Sequence, residues 1–471
     1  MRKSRVSGGN VAHRACLPTL PVVVTLALAL VVAIVSVGFT VGIFPSSEIG
    51  TAVPGNDNAT DADFARLHLL GLAVTAPIGA AVYLVGPHLG RALARSEAAH
   101  QRLVVGSRWI GVSLVSGLAT VPVVVMAFNP RGITLSAPGC LLSLWIIRHL
   151  QGPRPIPPGA ATAAFLWGAT FAVSIGVFLG KLHGAVVFGE VDALTNVDPV
   201  AATLPAPIWE ELGKGAGVLV VMCHLRDRFD GVVGGLLVGA LVGAGFNFCE
   251  TVRYALVSLD AASYQVWARQ WVSGVFAGHV VYTAITGAAV GIALARRTQA
   301  PRIVIVAAGF ALSALGHFLW NLTASLDTQP FASQDPATEL AVSTPMNYLA
   351  ITGPFIALVF GLLWVAQRRE ARALREALPV EAFSELGAVR PAEVPVLLSP
   401  LLRAGYRVRC LWVRGLPTYV RARRLQRAQI ELGIERWKVA RAPWRSSREA
   451  DIRLQIWHLR QRLQAEAGAS R

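Results

Sequence analysis

The chain has 471 residues, of which 54% are hydrophobic and only 15% charged, and it carries a net charge of +16 with a mean hydropathy of +0.52. That balance excludes an ordinary soluble globular enzyme and an intrinsically disordered chain, and it points to a multi-pass membrane protein. With only five cysteines, Cys16, Cys140, Cys223, Cys249 and Cys410, it also gives no reason to expect a disulfide framework.

Apolar runs long enough to cross about 30 Å of hydrocarbon recur through the first three quarters of the chain. They fall at 20–44, 66–87, 107–128, 133–147, 160–180, 202–224, 231–257, 270–295, 302–324 and 345–367. The expected fold is therefore an all-α polytopic bundle of about ten spans. The first run follows Arg2, Lys3, Arg5 and Arg14 like a signal peptide, but it is too long for an ordinary signal core and is expected to be retained.

Basic residues set the expected orientation. Arg91, Arg95 and Arg102, then Arg148 and Arg154, then Arg226 and Arg228, then Arg296, Arg297 and Arg302 fall in alternate loops. The intervening loops carry acidic residues, among them Glu48, Asp57, Glu190, Asp198, Asp327 and Glu339. The expectation is a multi-pass protein of the cell membrane with both termini cytoplasmic.

Four segments follow from this pattern: a basic N-terminus at 1–19, motif-free spans at 20–180, a polar-bearing transmembrane domain at 181–370, and a basic cytosolic tail at 371–471. In the tail, Ser446 followed by Glu449 reads as a helix start. Ile452, Ile456, Leu459 and Leu463 then share one helical face. The basic tail is expected to lie against anionic lipid or the membrane domain, and no nucleic acid partner is expected.

Chemistry concentrates in the third segment. The run 204-LPAPIWEELGKGAGVLVVMCHL-225 places Glu210, Glu211 and Lys214 inside an otherwise apolar span, where a charge is kept only if it is paired, hydrated or used. Glu210 and Lys214 stand at i and i+4 with the acid first, while Glu211 is offset by about 100°. The next three spans carry Asn247, Glu250 and Arg253, then His279 with Tyr282, Thr283 and Thr286, then His317 and Asn321. Counting about 1.5 Å per residue from the nearer boundary brings Glu210, Glu211, His279, His317 and Asn321 into the outer half of the membrane, with Glu250 near its outer end.

Hydrolysis fits that set. A poorly solvated carboxylate can act as general base, a role expected of Glu211. His279, His317 and Glu250 are a candidate set for a divalent metal, zinc by donor type, with an open position for water. The alternative is a metal-free site in which the histidines place the water and Asn321 stabilises the oxyanion. There is no HExxH helix. Competing readings of the same polar residues are a proton-coupled transporter and a non-catalytic membrane scaffold.

The motifs 210-EELGK-214, 246-FNFCE-250, His279 and 317-HFLWN-321, each on its own consecutive helix, resemble the PrsW family of intramembrane proteases, a relative of the CAAX-protease and bacteriocin-processing group. The likeness covers about residues 200–325. It implies a metalloprotease that cuts a membrane-anchored protein from the outer side, of the anti-sigma-factor type. Glu210 and Glu211 are then the catalytic acid pair, Lys214 stands for the Arg of the wider group, Glu250 stands where that group has His, and His279 and His317 complete the site.

Overall fold

The computed structural model describes residues 19–44, 48–50, 59–94, 97–151, 156–188, 203–225, 231–257, 262–296, 298–325, 331, 333–384, 387–441 and 448–469. Nearly all of them are helical; a short antiparallel ribbon, β1 (Glu48–Gly50) with β2 (Ala59–Thr60), is the exception. The chain divides into two compact units, residues 1–150 with 156–360, and residues 151–155 with 361–471.

The first unit is the membrane bundle. Among the described residues eight helices are long and apolar enough to cross a membrane, or nine with a bent pair. In chain order the helices are α1 (Thr19–Thr40), α2 (Asp61–Leu93), α3 (Glu97–Ser116), α4 (Thr120–Ala127), α5 (Pro130–Leu150), α6 (Pro158–Trp167), α7 (Val173–Phe188), α8 (Pro205–Leu225), α9 (Val232–Val257), α10 (Ala262–Val266), α11 (Gly278–Leu294), α12 (Gln299–Ser325), the single turn α13 (Pro336–Thr338) and α14 (Thr344–Ala382). Helix α14 gives its first part to this unit and its remainder to the second.

Three departures from a set of plain spans matter. The expected third span is the bent pair: α3 and α4 meet at 86°, with Gly117 at φ +62 between them. The fourth, the shortest by sequence, is a full 21-residue helix. The Asn129 carboxamide oxygen accepts from the Gly132 N–H at 2.9 Å, and its Nδ2 donates to the Val252 carbonyl at 2.7 Å. Helix α8 is as long as α5 yet lies outside the apolar set, because its charges, Glu210, Glu211 and Lys214, interrupt the run. The sequence count of about ten spans is reached only by including both the bent pair and α8.

The centre of the unit is the pair α9 and α11. A Cβ on Gly239 would stand 2.2 Å from the Thr283 carbonyl, and one on Gly243 would stand 2.3 Å from the His279 carbonyl. Small residues let two backbones approach this closely, which is the usual basis of helix pairing in lipid. The pair is nearly all buried, so the polar side chains it bears open into protein and not into lipid.

The second unit is a helical tail. It comprises the end of α14, a 3-10 turn at Pro391–Glu393, α15 (Val394–Leu398), α16 (Pro400–Arg441) and α17 (Glu449–Ala469). Leu374, Leu378, Val389, Leu397, Ile430 and Ile434 form one core, and Leu425, Ala428, Leu432, Ile452 and Ile456 form a second, with Leu459 and Leu463 packed against it. Residues predicted as one face of a helix thus do share a face, and that face is covered by α16. Ser446, the expected helix cap, lies outside the described residues. Buried Glu381 holds the layers together: Arg436 Nη1 donates to it at 2.6 Å, and Arg453 donates through Nη2 at 2.8 Å and Nε at 3.0 Å.

Candidate active site

Helix α8 is fixed before its charges are. Trp167 Nε1, at the junction of α6 with the π turn Gly168–Ala172, donates to the Gly213 carbonyl at 3.0 Å. Gly176 faces Glu210 so closely that a Cβ there would lie 2.7 Å from the Glu210 Cγ. Lys214 then points inward and is fully buried.

Its ammonium makes three hydrogen bonds, as many as it has protons. Nζ donates to Glu211 Oε1 at 2.8 Å, to His279 Nδ1 at 3.0 Å and to Glu210 Oε2 at 3.3 Å. The Phe246 ring lies against the same nitrogen, 3.6 Å from ring centroid to Nζ. A buried cation needs this degree of satisfaction, because an unpaired one costs several kcal/mol or about that order.

Lys214 sits nearer to Glu211 than to Glu210, although i,i+4 spacing singled out Glu210. A lysine stem reaches partners at both i−3 and i−4, and here the ammonium lies between the two acids. Glu211 is fully buried and held on both oxygens: Oε2 accepts from Ser313 at 2.8 Å and Thr283 at 3.4 Å, and Oε1 lies 3.3 Å from His317 Nδ1. That last contact is close but not aligned as a hydrogen bond, and His317 Nδ1 has no hydrogen-bond partner among the described residues.

Glu210 is different. Its side chain keeps 16% exposure, and its Oε2 faces Lys214 and, at 3.8 Å, His317 Nε2. The His279 and His317 rings meet edge to face at 4.7 Å between centroids, and Tyr282 stacks on His317 at 6.1 Å.

The helix carrying His279 is broken just before it. The π turn Trp267–Ser273 ends at Gly274, Ala277 is extended, and Gly278 takes φ +45. His279 therefore stands in the first turn of α11, where the expected span was continuous. Irregular backbone at membrane depth is tolerated when it is enclosed by protein or lines a watered cavity. Here it turns His279 Nε2 onto Glu250 Oε2 at 2.7 Å.

Glu250 is thus a partner of one imidazole, on the nitrogen remote from Lys214. Its fixed cation is Arg269, whose Nη1 lies 3.9 Å from the carboxylate and whose guanidinium stacks on Tyr254 at 3.5 Å. Arg253, the nearer residue in sequence, faces the Tyr254 ring at 5.3 Å. Asn321 lies one turn beyond His317 on α12 and is half-buried.

The ligand atoms that converge are those of Glu210, His279 and His317, all within 4.8 Å of one another. Two imidazoles and a carboxylate suit a catalytic divalent metal such as zinc. The charge balance agrees: the carboxylates of Glu210, Glu211 and Glu250 face the fixed cations Lys214 and Arg269, leaving the cluster one positive charge short with neutral imidazoles. The acid in this set is Glu210, whereas sequence reasoning put Glu250 there. The Glu250–His279 contact has the form of the carboxylate that orients a ligating imidazole from behind.

Sequence reasoning did not single out Ser313 or Arg269. Ser313 was detectable as the residue one turn before His317 on the same face, and Arg269 as a lone arginine beside an acidic intramembrane set.

No curated protein and no solved structure matches the chain. Residues 156–359 of this multi-pass membrane protein, which include every side chain of the cluster, match the family model of the PrsW family intramembrane metalloprotease.

Proposed function

We propose that the chain is an intramembrane endopeptidase that hydrolyses a peptide bond in a membrane-anchored protein, with Glu210 as the reacting carboxylate. The observation behind this is the contrast between neighbours: Glu211 is fully buried with its oxygens engaged, whereas Glu210 is partly exposed and uses only Oε2 within the cluster. A general base must reach its proton directly or through one water, and among the described residues only Oε2 of Glu210 is engaged, which leaves Oε1 for that role. This moves the role expected of Glu211 by one residue.

In this reading Glu210 Oε1 takes a proton from the attacking water while the water oxygen bonds to the scissile carbonyl carbon. The same carboxyl returns the proton to the amide nitrogen as the C–N bond breaks, so no external acid is consumed. Glu211 anchors Lys214, and Lys214 holds Glu210 and His279 in register. Glu250 keeps His279 Nε2 protonated and so leaves Nδ1 as the ring's lone pair. Asn321 is retained as a candidate donor to the oxyanion. A zinc ion held by Glu210, His279 and His317 would supply electrophilic polarisation of the carbonyl and a more acidic water.

The alternation of basic loops supports cytoplasmic termini, the matched depth of the motif residues then supports cleavage near the outer face, and the resemblance supports regulatory proteolysis of an anti-sigma-factor type of substrate. The test compares membrane-protein fragments from matched membranes bearing the native chain, Glu210→Gln and His317→Ala, with and without a chelator. Fragments that appear only with the native chain are expected. Equal fragments from folded Glu210→Gln would sink the assignment of the base, and no dependence on either residue would sink the protease reading.

A further inference from the structure

The tail contains a helical stretch that buries no residue among the described ones. Gly415, at φ +77 and ψ 179, followed by Pro417, splits α16 in two. The part after the kink bears the buried residues Ala422, Leu425, Ile430 and Leu432; in 400–417 no residue is buried. Yet that stretch, PLLRAGYRVRCLWVRGLP, is rich in large apolar side chains, with Leu401 and Trp412 each 83% exposed and Val413 69% exposed. Scattered exposed apolar residues are unremarkable, but a continuous set on one helix marks a surface with a partner.

At 100° per residue, Leu401, Val408 and Trp412 fall within about 40° of one another, with Leu411 to one side; on the other side Arg409 stands between Trp412 and the further apolar residues Leu402, Tyr406 and Val413. Arg403, Arg407 and Arg414 share an arc of about 40° opposite the first group. Arg403 and Arg407 are half-buried, Arg403 Nη1 donating to the Leu397 carbonyl and Arg407 Nε to the Arg403 carbonyl at 3.1 Å, whereas the face of Leu401, Val408 and Trp412 is exposed. A basic strip opposite an exposed apolar face with a tryptophan is the feature of a helix lying in the plane of a lipid interface. Arginine stems can run along the apolar body while their guanidinium groups meet phosphate.

We infer that residues 400–416 form an interfacial anchor that inserts Leu401, Val408 and Trp412 into the bilayer and sets Arg403, Arg407 and Arg414 on anionic headgroups. The charge favours anionic lipid over an apolar protein groove, and covalent continuity with the spanning helix α14 keeps the segment at high effective concentration beside a membrane. The sequence places the tail as a whole against anionic lipid or the membrane domain; the face of Ile452 and Ile456 is covered by α16 and is not available for that contact. The anchor stands whether or not the protease reading does.

The test uses the full chain in nanodiscs, of phosphatidylcholine alone or with phosphatidylglycerol. Spin labels are placed singly at 401, 403, 407, 408, 412 and 414 in a cysteine-free background. In anionic discs, labels at 401, 408 and 412 are expected to be accessible to oxygen and shielded from a nickel chelate, with the reverse at 403, 407 and 414. The immersed fraction is expected to fall by at least half in phosphatidylcholine alone. Uniform nickel access, or a covered face with dipolar broadening between two copies at 412, would overturn the proposal, the latter in favour of a dimer. Should the cysteine-free chain not fold, tryptic cleavage after Arg403, Arg407 and Arg414 of the native chain decides. It is expected to be at least tenfold slower on anionic discs than in Leu401→Ser/Val408→Ser/Trp412→Ser, and equal rates would overturn the proposal.

Discussion

Lys214 Nζ lies 3.0 Å from Nδ1 of His279, on the ring nitrogen that Glu250 leaves free. That lone pair is the one a metal would need. Lysine and metal therefore compete for it, and replacing Lys214 by Met should tighten zinc binding by about tenfold, roughly 1.4 kcal/mol, through loss of a neighbouring positive charge. Zinc content at equilibrium in buffered metal, measured by mass spectrometry on purified protein, checks this without reference to activity. Weaker binding in Lys214→Met would mean that the ammonium supports the metal and does not oppose it.

The two acids should separate under mutation. Glu210→Gln is expected to reduce cleavage by about 10²–10⁴-fold, the usual range for losing a positioned base, with little change in stability. Glu211→Gln should also be inactive, but for another reason. It strips a buried ammonium of its shortest partner and destabilises the bundle by about 3 kcal/mol or more. Thermal unfolding in detergent alongside cleavage per folded molecule distinguishes them. Identical stability losses would remove the distinction between a reacting and an anchoring carboxylate.

Much of this arrangement was legible before the coordinates. Charges in apolar runs cannot be bland, so Glu210, Glu211, Lys214, Glu250, His279 and His317 stand out from composition and spacing alone, and they do meet. What spacing could not give was which oxygen meets which nitrogen. A lysine stem has enough freedom to choose between neighbours one residue apart, so Glu211 could not be ranked above Glu210. The break before His279 was equally hidden, because a π turn and a left-handed Gly278 leave no mark in hydropathy. In the tail, periodicity identified the apolar face of α17 correctly but could not say whether lipid or α16 covers it.

Gly278 tests whether that break matters. Its φ of +45 disfavours any L side chain by about 1–2 kcal/mol, and a Cβ there would approach Ser273 Oγ to 2.2 Å. Gly278→Ala should therefore turn His279 off the cluster. The expected result is loss of most cleavage and of zinc binding from a protein that still elutes as a folded species. Gly287→Ala, which closes on the Gly235 carbonyl to 2.1 Å away from the cluster, should instead destabilise the α9–α11 packing itself. If Gly278→Ala cleaves normally, the broken helix is a packing accident with no bearing on the site.

Glu381 offers the corresponding test in the tail. It is buried and accepts hydrogen bonds from Arg436 on α16 and Arg453 on α17, with Arg453 also bonded to Glu449 at 2.8 Å. The bonds to Glu381 hold the Arg453 guanidinium above its already high ordinary pKa, so this pairing persists at any pH at which the carboxylate is ionised. Glu381→Gln keeps the shape but takes the carboxylate away from Arg436 and leaves Arg453 with Glu449 alone, a change expected to weaken the docking of α17 by about 3 kcal/mol. Hydrogen exchange across 449–463 in the full chain should then rise by roughly two orders of magnitude, which is that free energy at about 1.4 kcal/mol per tenfold. Exchange within α8 and α11 should not change. A rise in both regions would show that the tail and the membrane bundle unfold as one unit, and unchanged exchange in the tail would show that its apolar layers suffice without the buried acid.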